Sequence, residues 1–146
     1  EYSFNELGEI IQRILPDIDF EDGLKDEIAT VLRGNARQAQ KMANNISSFI
    51  TRSGSSEMTK DMWRELRHAL GILPLGLSRI EVQVLNILTE KKECSLTNLS
   101  AKTGLTPQCL RQDFELYLQK HNLMEITTTG RSITSKGLEY LKDLDK

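Results

Sequence analysis

Thr103-Gly104-Leu105-Thr106-Pro107 decides how the second half of this chain is read, and Met124-Glu125-Ile126-Thr127-Thr128-Thr129-Gly130-Arg131-Ser132-Ile133-Thr134 completes the reading. Gly104 suits the left-handed position just past a helix end, Thr106 suits a helix cap, and Pro107 suits the first helical position. Two helices joined by so tight a link form a helix-turn-helix. From Met124 the apolar period changes to two: Met124, Ile126 and Thr128 alternate with Glu125 and Thr127. Gly130 then marks a turn, and Ser132-Ile133-Thr134 returns as a second strand.

Working outward, Ser78 and Glu81 form a capping box for a helix carrying Ile80, Val84, Ile87 and Leu88. Ser95 opens a short helix with Leu96 and Leu99 that Gly104 closes. The helix from Thr106-Pro107 packs Leu110, Phe114, Tyr117 and Leu118, and a last helix carries Leu138, Leu141 and Leu144. Helix, helix, helix, hairpin, helix is the winged-helix order. The first half is helical throughout by its three-and-four spacing. Ser3 and Glu6 cap a stripe of Phe4, Leu7, Ile11 and Ile14 that Pro16 ends. A second stripe of Phe20, Leu24, Ile28 and Val31 starts at Asp19 and stops at Gly34. Asn35, with Gln38, caps a third of Ala36, Ala39, Ala43, Ile46 and Ile50, broken at Ser53-Gly54-Ser55-Ser56. Thr59 caps a fourth through Met62, Leu66 and Ala69. Gly71, Pro74 and Gly76 mark the clearest boundary, which predicts a mainly α chain with a four-helix module over 1–73 and a winged helix over 74–146.

At 146 residues and 16.6 kDa there is room for one domain or two small ones. No apolar run approaches the roughly 20 residues that span a bilayer, so no membrane role is expected. Hydrophobic residues make up 38% and charged residues 27%, which excludes a disordered tail. Glu1 in place of an initiator Met reads as a cut inside a longer chain. Cys94 and Cys109 are expected as reduced thiols of a cytoplasmic protein. Residues 1–28 hold nine acids against Arg13 and Lys25, whereas 74–146 hold ten Lys or Arg against nine acids. Neither half is basic enough for binding nucleic acid by bulk charge, so such a role must rest on a few placed residues.

The chain contains no phosphate-binding glycine loop of the GxxxxGK[ST] or GxGxxG type, no GxSxG elbow and no HExxH helix. The acidic run from Asp17 to Gly23 fails as a calcium loop, because its glycine falls one residue late and Ile28 stands where the closing Glu belongs. Cys94, Cys109, His68 and His121 lack zinc spacing or a third group that would make a nucleophile pair. Two constellations remain. Arg37, in Arg33-Gly34-Asn35-Ala36-Arg37, falls on the first turn of a helix where an anion is favoured, and it either meets a phosphate or neutralises the acidic neighbouring helix. In the helix-turn-helix, Gln108, Arg111, Gln112, Glu115 and Gln119 point away from the apolar stripe toward a possible major groove, with Asp113 and Glu115 repelling phosphate. The hairpin tip, Thr127 to Arg131, offers hydroxyls and one cation; it is either a groove contact or a solvated turn beside a protein-docking face.

These residues carry a resemblance. Tyr2-Ser3-Phe4-Asn5-Glu6-Leu7 is similar to a Y-x-x-x-E-L opening, and Arg33-Gly34-Asn35-Ala36-Arg37 with Ala39 and Lys41 is similar to R-G-T-P-R-x-A-x-[RK]. Gly76-Leu77 resembles a G-[LF]-D step, Glu115, Tyr117 and Leu118 resemble E-P-Y-L, and Gly130, Arg131 and Thr134 resemble R-G-R-x-x-T. Together they resemble the C-terminal two domains of the RuvB family, bacterial Holliday-junction branch-migration motors of the AAA+ ATPase class. The family's Thr-Pro is Asn35-Ala36 here, its first wing arginine is Thr129, and its Pro is Leu116, so the member is divergent.

The resemblance implies a four-helix AAA+ lid followed by a winged helix, the ATP-hydrolysing P-loop domain lying before Glu1 and the chain alone being inactive. It implies that Arg37 is a sensor-2 arginine reaching the γ-phosphate of ATP, with Tyr2 near the adenine and Ala36 beside them. ATP and magnesium would be held through that preceding domain. Arg131, Gly130 and Thr129 on the wing, with Arg111 and Gln108 on the helix, would contact duplex or junction DNA. The parent would be a homo-hexamer in recombination and repair, with a junction-binding protein as a further partner. Two rivals stand beside this reading: the lid and winged helix of a replication initiator or loader, and a winged helix that docks protein.

Overall fold

The structure, a computed structural model, describes residues 1–144, which divide into two compact units, Glu1–Leu77 and Ser78 onward. In the first unit α1 (Phe4–Ile14) opens on a complete capping box: the Ser3 hydroxyl accepts from the Glu6 N–H at 3.1 Å, and the Glu6 carboxylate accepts from the Ser3 N–H at 3.0 Å. The Ser3 backbone N–H first, then the Ser3 side chain, hold the Glu6 carboxyl below its ordinary value by hydrogen bonding to its charged form. The α1 stripe is narrower than its spacing predicts: Leu7 and Ile11 are buried, while Phe4 and Ile14 stand exposed.

The expected helix from Asp19 is instead a strand, a turn and a short helix. Asp19–Phe20 (β1) pairs in parallel with Glu57–Met58 (β2), and the Asp19 N–H donates to the Ser56 carbonyl at 2.9 Å. Gly23 at φ +80° turns the chain into α2 (Leu24–Ala29), which ends well short of Gly34. The four-residue step from Phe20 to Leu24 therefore spans two elements, and a partner 38 residues away takes the backbone bonds that a helix would have used. Glu21 accepts from the Lys60 N–H at 3.1 Å, so one acid of that run caps a helix far along the chain.

Helix α3 (Ala36–Ser53) starts at Asn35 and stops at Gly54, which sits at φ +72°. Thr59 caps α4 (Lys60–Leu70), and Gly71 ends it. The core joins Leu7 and Ile11 of α1, Leu24, Ile28 and Ala29 of α2, Ala39, Met42, Ile46 and Ile50 of α3, Met58 of β2, and Trp63 and Leu66 of α4. Trp63 anchors α4 in place of the predicted Ala69, which is exposed. The 3-10 turn Pro74–Gly76 closes the unit. Gly76 has φ +69° and lies so near Val31 that a Cβ there would fall 2.4 Å from the Val31 carbonyl oxygen.

In the second unit α5 (Arg79–Glu90) carries the predicted Ser78–Glu81 box and buries Val84, Leu85 and Leu88; Ile80 and Ile87 are only partly covered. Ser95 caps α6 (Leu96–Thr103), and Gly104 at φ +77° ends it. Thr106 accepts from the Cys109 N–H at 3.1 Å, and α7 (Pro107–Cys109) runs through a π-helical turn, Leu110–Glu115, into α8 (Leu116–Lys120). Then β3 (Met124–Thr127) and β4 (Gly130–Ile133) pair antiparallel with Ile126 opposite Arg131, and α9 (Ser135–Leu144) follows. Arg131 also pairs with Cys94, exchanging backbone bonds of 2.9 and 2.8 Å, so a third short extended segment backs the hairpin. That pairing is absent from the sequence reading. Both cysteines are free thiols.

Candidate functional site

The first cluster assembles at the start of α3. Arg33 at φ +56° and Gly34 at φ +71° turn the chain back so that Tyr2 donates its N–H to the Gly34 carbonyl at 3.1 Å. This brings Glu1, Tyr2, Arg33, Gly34, Asn35, Ala36 and Arg37 around one open cleft of about 460 Å³. The structure thus brings Tyr2 beside Ala36 and Arg37, from the far end of the unit's sequence. Asn35 Oδ1 accepts from the N–H groups of Arg37 (2.8 Å) and Gln38 (3.4 Å). The predicted Asn35 cap thus already occupies two of the first-turn N–H groups. What remains for an anion is the Arg37 guanidinium, exposed and with no side-chain partner among the described residues, together with the positive end of an 18-residue helix.

The second cluster is the face of the 107–120 helix with the hairpin. Gln108, Arg111 and Gln112 are exposed on one face of that helix, and Arg111 has no side-chain partner among the described residues. The hairpin tip, Thr127, Thr128 and Thr129, is exposed too and closed on itself. The Thr127 and Thr129 hydroxyls lie 2.9 Å apart, and Thr127 Oγ1 donates to the Gly130 carbonyl at 3.2 Å. Gly130 is buried at φ +147°, and a Cβ there would fall 3.1 Å from the Cys94 carbonyl oxygen.

Glu115 is not on the exposed face. It is 1% exposed, and both its oxygens accept from Arg131: Nε to Oε2 at 2.9 Å and Nη2 to Oε1 at 3.3 Å. The cause is the π-turn. At the ordinary α-helical step of about 100° per residue, Glu115 would lie roughly 140° around from Leu110. With i to i+5 bonding that angle narrows and Glu115 moves toward the side of Leu110, which is fully buried. Arg131 is correspondingly drawn inward, its side chain only 14% exposed. Of the predicted wing and helix residues, Thr129, Arg111 and Gln108 face solvent, whereas Gly130 and Arg131 serve the base of the hairpin. The missed partner, Glu115, had no local signal pointing to it.

Residues 74–142 match the family model for the RuvB C-terminal winged helix domain. The Holliday junction branch migration complex subunit RuvB of Ehrlichia canis is 31% identical over 97% of this chain and 44% of its own length. The Thermotoga maritima subunit is 27% identical with the same coverage. The solved structure of the Thermotoga maritima RuvB Holliday junction branch migration motor superposes with a TM-score of 0.82 at 27% identity, over 97% of this chain and 49% of that one. The chain thus spans about half the length of the relatives it matches. Its capped helices, its tight helix-turn-helix and its hairpin, together with a likeness that runs through both units, place it: the chain belongs to the RuvB family.

Proposed function

We propose that this chain is the lid (1–73) and winged-helix (74–146) portion of an ATP-dependent motor for Holliday-junction branch migration, acting in the cytoplasm as a homo-hexamer. The observation that carries the nucleotide half is the convergence on one cleft of Tyr2, Ala36 and Arg37, whose guanidinium has no side-chain partner among the described residues. A triphosphate suits that donor set, because a guanidinium forks onto phosphate oxygens and an exposed tyrosine ring offers a face to a base. Among the described residues no group of three or more His, Cys, Asp or Glu is gathered for a cation. Magnesium would therefore be held with the nucleotide by residues beyond this chain. Bound ATP supplies the free energy; Arg37 reads its terminal phosphate and the lid's angle follows. In the parent protein Arg37→Ala lowers ATP turnover on the order of 10- to 100-fold, the worth of one hydrogen bond to a charged group. Unchanged turnover refutes the assignment.

For the DNA half, the exposed Gln108 and Arg111 reach base edges or phosphates, while the threonine tip lies against the sugar-phosphate backbone. Fluorescence anisotropy of this chain against a four-way junction and a plain duplex tests it. Binding should fall steeply with salt, and Arg111→Ala should lower the salt slope by about 1. One observation favours a second reading, a protein-docking winged helix: Leu116, on the same helix, is 64% exposed. Docking of that kind is insensitive to salt, and a Leu116→Gln variant, which adds no charge, would weaken it while leaving DNA binding in place.

A further inference from the structure

We infer that Arg131 acts on DNA only indirectly, as a positioning residue that sets the angle of the hairpin to the 107–120 helix through its buried fork with Glu115. The inference rests on the DNA reading above and reverses the role that resemblance gives to the wing arginine. Three attachments converge on one rung of the hairpin. The Arg131 backbone exchanges two bonds with Cys94, the neighbouring Gly130 lets the strands approach as no side chain would, and the Arg131 guanidinium spans to Glu115 with two bonds. The first two fix the base of the hairpin to the segment before α6. The third adds a side-chain tie to the helix that bears Gln108 and Arg111, beside the backbone bond from the Leu123 N–H to the Leu118 carbonyl at the foot of β3.

Glu115 takes two of the five N–H donors of the Arg131 guanidinium, and with the side chain only 14% exposed the others are poorly placed to fork onto a phosphate. Those two donors are matched to both carboxylate oxygens, and the carboxylate is almost wholly out of water, so withdrawing the cation would leave a buried negative charge without its partner. Simultaneous engagement of a groove by the helix and of the backbone by the threonine tip requires a fixed angle between them. A loosened angle forfeits one contact or the other.

The test uses the 146-residue chain and a labelled duplex. Glu115→Gln keeps the shape and removes the charge. If Arg131 touched phosphate, this variant would bind as tightly as the parent or more tightly, because a repelling acid is gone and a cation is released. Positioning requires the opposite: several-fold weaker binding, with the slope of log affinity against log salt unchanged. Arg131→Lys, which keeps the charge and loses the fork, should show the same two changes. NMR order parameters of the Thr127, Thr128 and Thr129 amides supply a readout that needs no DNA, and they should fall from rigid values toward about 0.6 in both variants. Undiminished binding in Glu115→Gln or unchanged order parameters would overturn the inference. Should the parent chain bind no duplex, the DNA reading fails on its own account, and the order parameters still decide whether the pair sets the hairpin.

Discussion

Gly137 lies within α9, where replacing glycine by alanine ordinarily stabilises a helix by about 1 kcal/mol. Here the sign should reverse. A Cβ at Gly137 would fall 2.2 Å from the Leu123 carbonyl oxygen and 2.7 Å from Ile133 Cγ1. The Ile133 side chain can turn away at modest cost. The Leu123 carbonyl cannot, because it accepts from the Thr134 N–H at 3.2 Å, and the Thr134 hydroxyl in turn accepts from the Gly137 N–H at 3.0 Å. Relieving the clash pushes α9 off the hairpin and strains the bond that starts the helix. Overpacking of this kind costs about 1–3 kcal/mol, and the rigid backbone contact argues for the upper end. Subtracting the helix gain leaves Gly137→Ala destabilising by about 2 kcal/mol, or roughly 8–16 °C in Tm for a unit of this size. Urea unfolding followed by circular dichroism measures it, with Gly137→Ser as a second reading of the same Cβ. A midpoint equal to or above that of the parent would refute the packing argument, since it would mean α9 and the hairpin are not in contact at this point.

Ser78→Ala removes the hydroxyl that accepts from the Glu81 N–H at 3.2 Å and should cost about 1 kcal/mol, read as a lower urea midpoint. Burial first, then the negative charge of Glu81, raises the Tyr140 phenol well above its ordinary value. A raised phenol stabilises the fold while protonated. Its contribution is complete below the unfolded value near pH 10 and is lost as pH climbs toward the folded value. The Tm of the parent should therefore fall more steeply above about pH 10 than that of Tyr140→Phe, and parallel curves would count against the assignment.

The legible part of this fold is the part written in caps, stops and turns. Ser3 with Glu6, Ser78 with Glu81, Asn35, Thr59, Ser95 and Thr106 all cap where their spacing places them, and Gly54, Gly71 and Gly104 end the helices they follow. These signals act over about four residues, the reach of a side chain to its own backbone, so a distant partner seldom overrules them; Asp19, drawn into a strand pair, is the case where one does. The candidate site was legible to a lesser degree. Arg37 and Arg111 are exposed as read, and the cleft at Arg37 gathers Tyr2 because Gly34 receives its N–H.

The misread elements share one property: a partner distant in sequence. Asp19–Phe20 matches a helical stripe until Glu57–Met58 takes its backbone bonds, and Trp63 anchors α4 in a core shared with α1, α2 and α3, which the spacing within α4 alone does not reveal. Glu115 looks like a solvent-facing helical residue until a π-turn swings it to the side of Leu110, where Arg131 waits 16 residues on. The sequence by itself therefore determined most of the helices, their capped ends and the family. Tertiary structure alone decided the short parallel strand pair and which charges are buried, because a buried ion pair is stable only when both partners arrive together, and neither residue carries a local mark of the other.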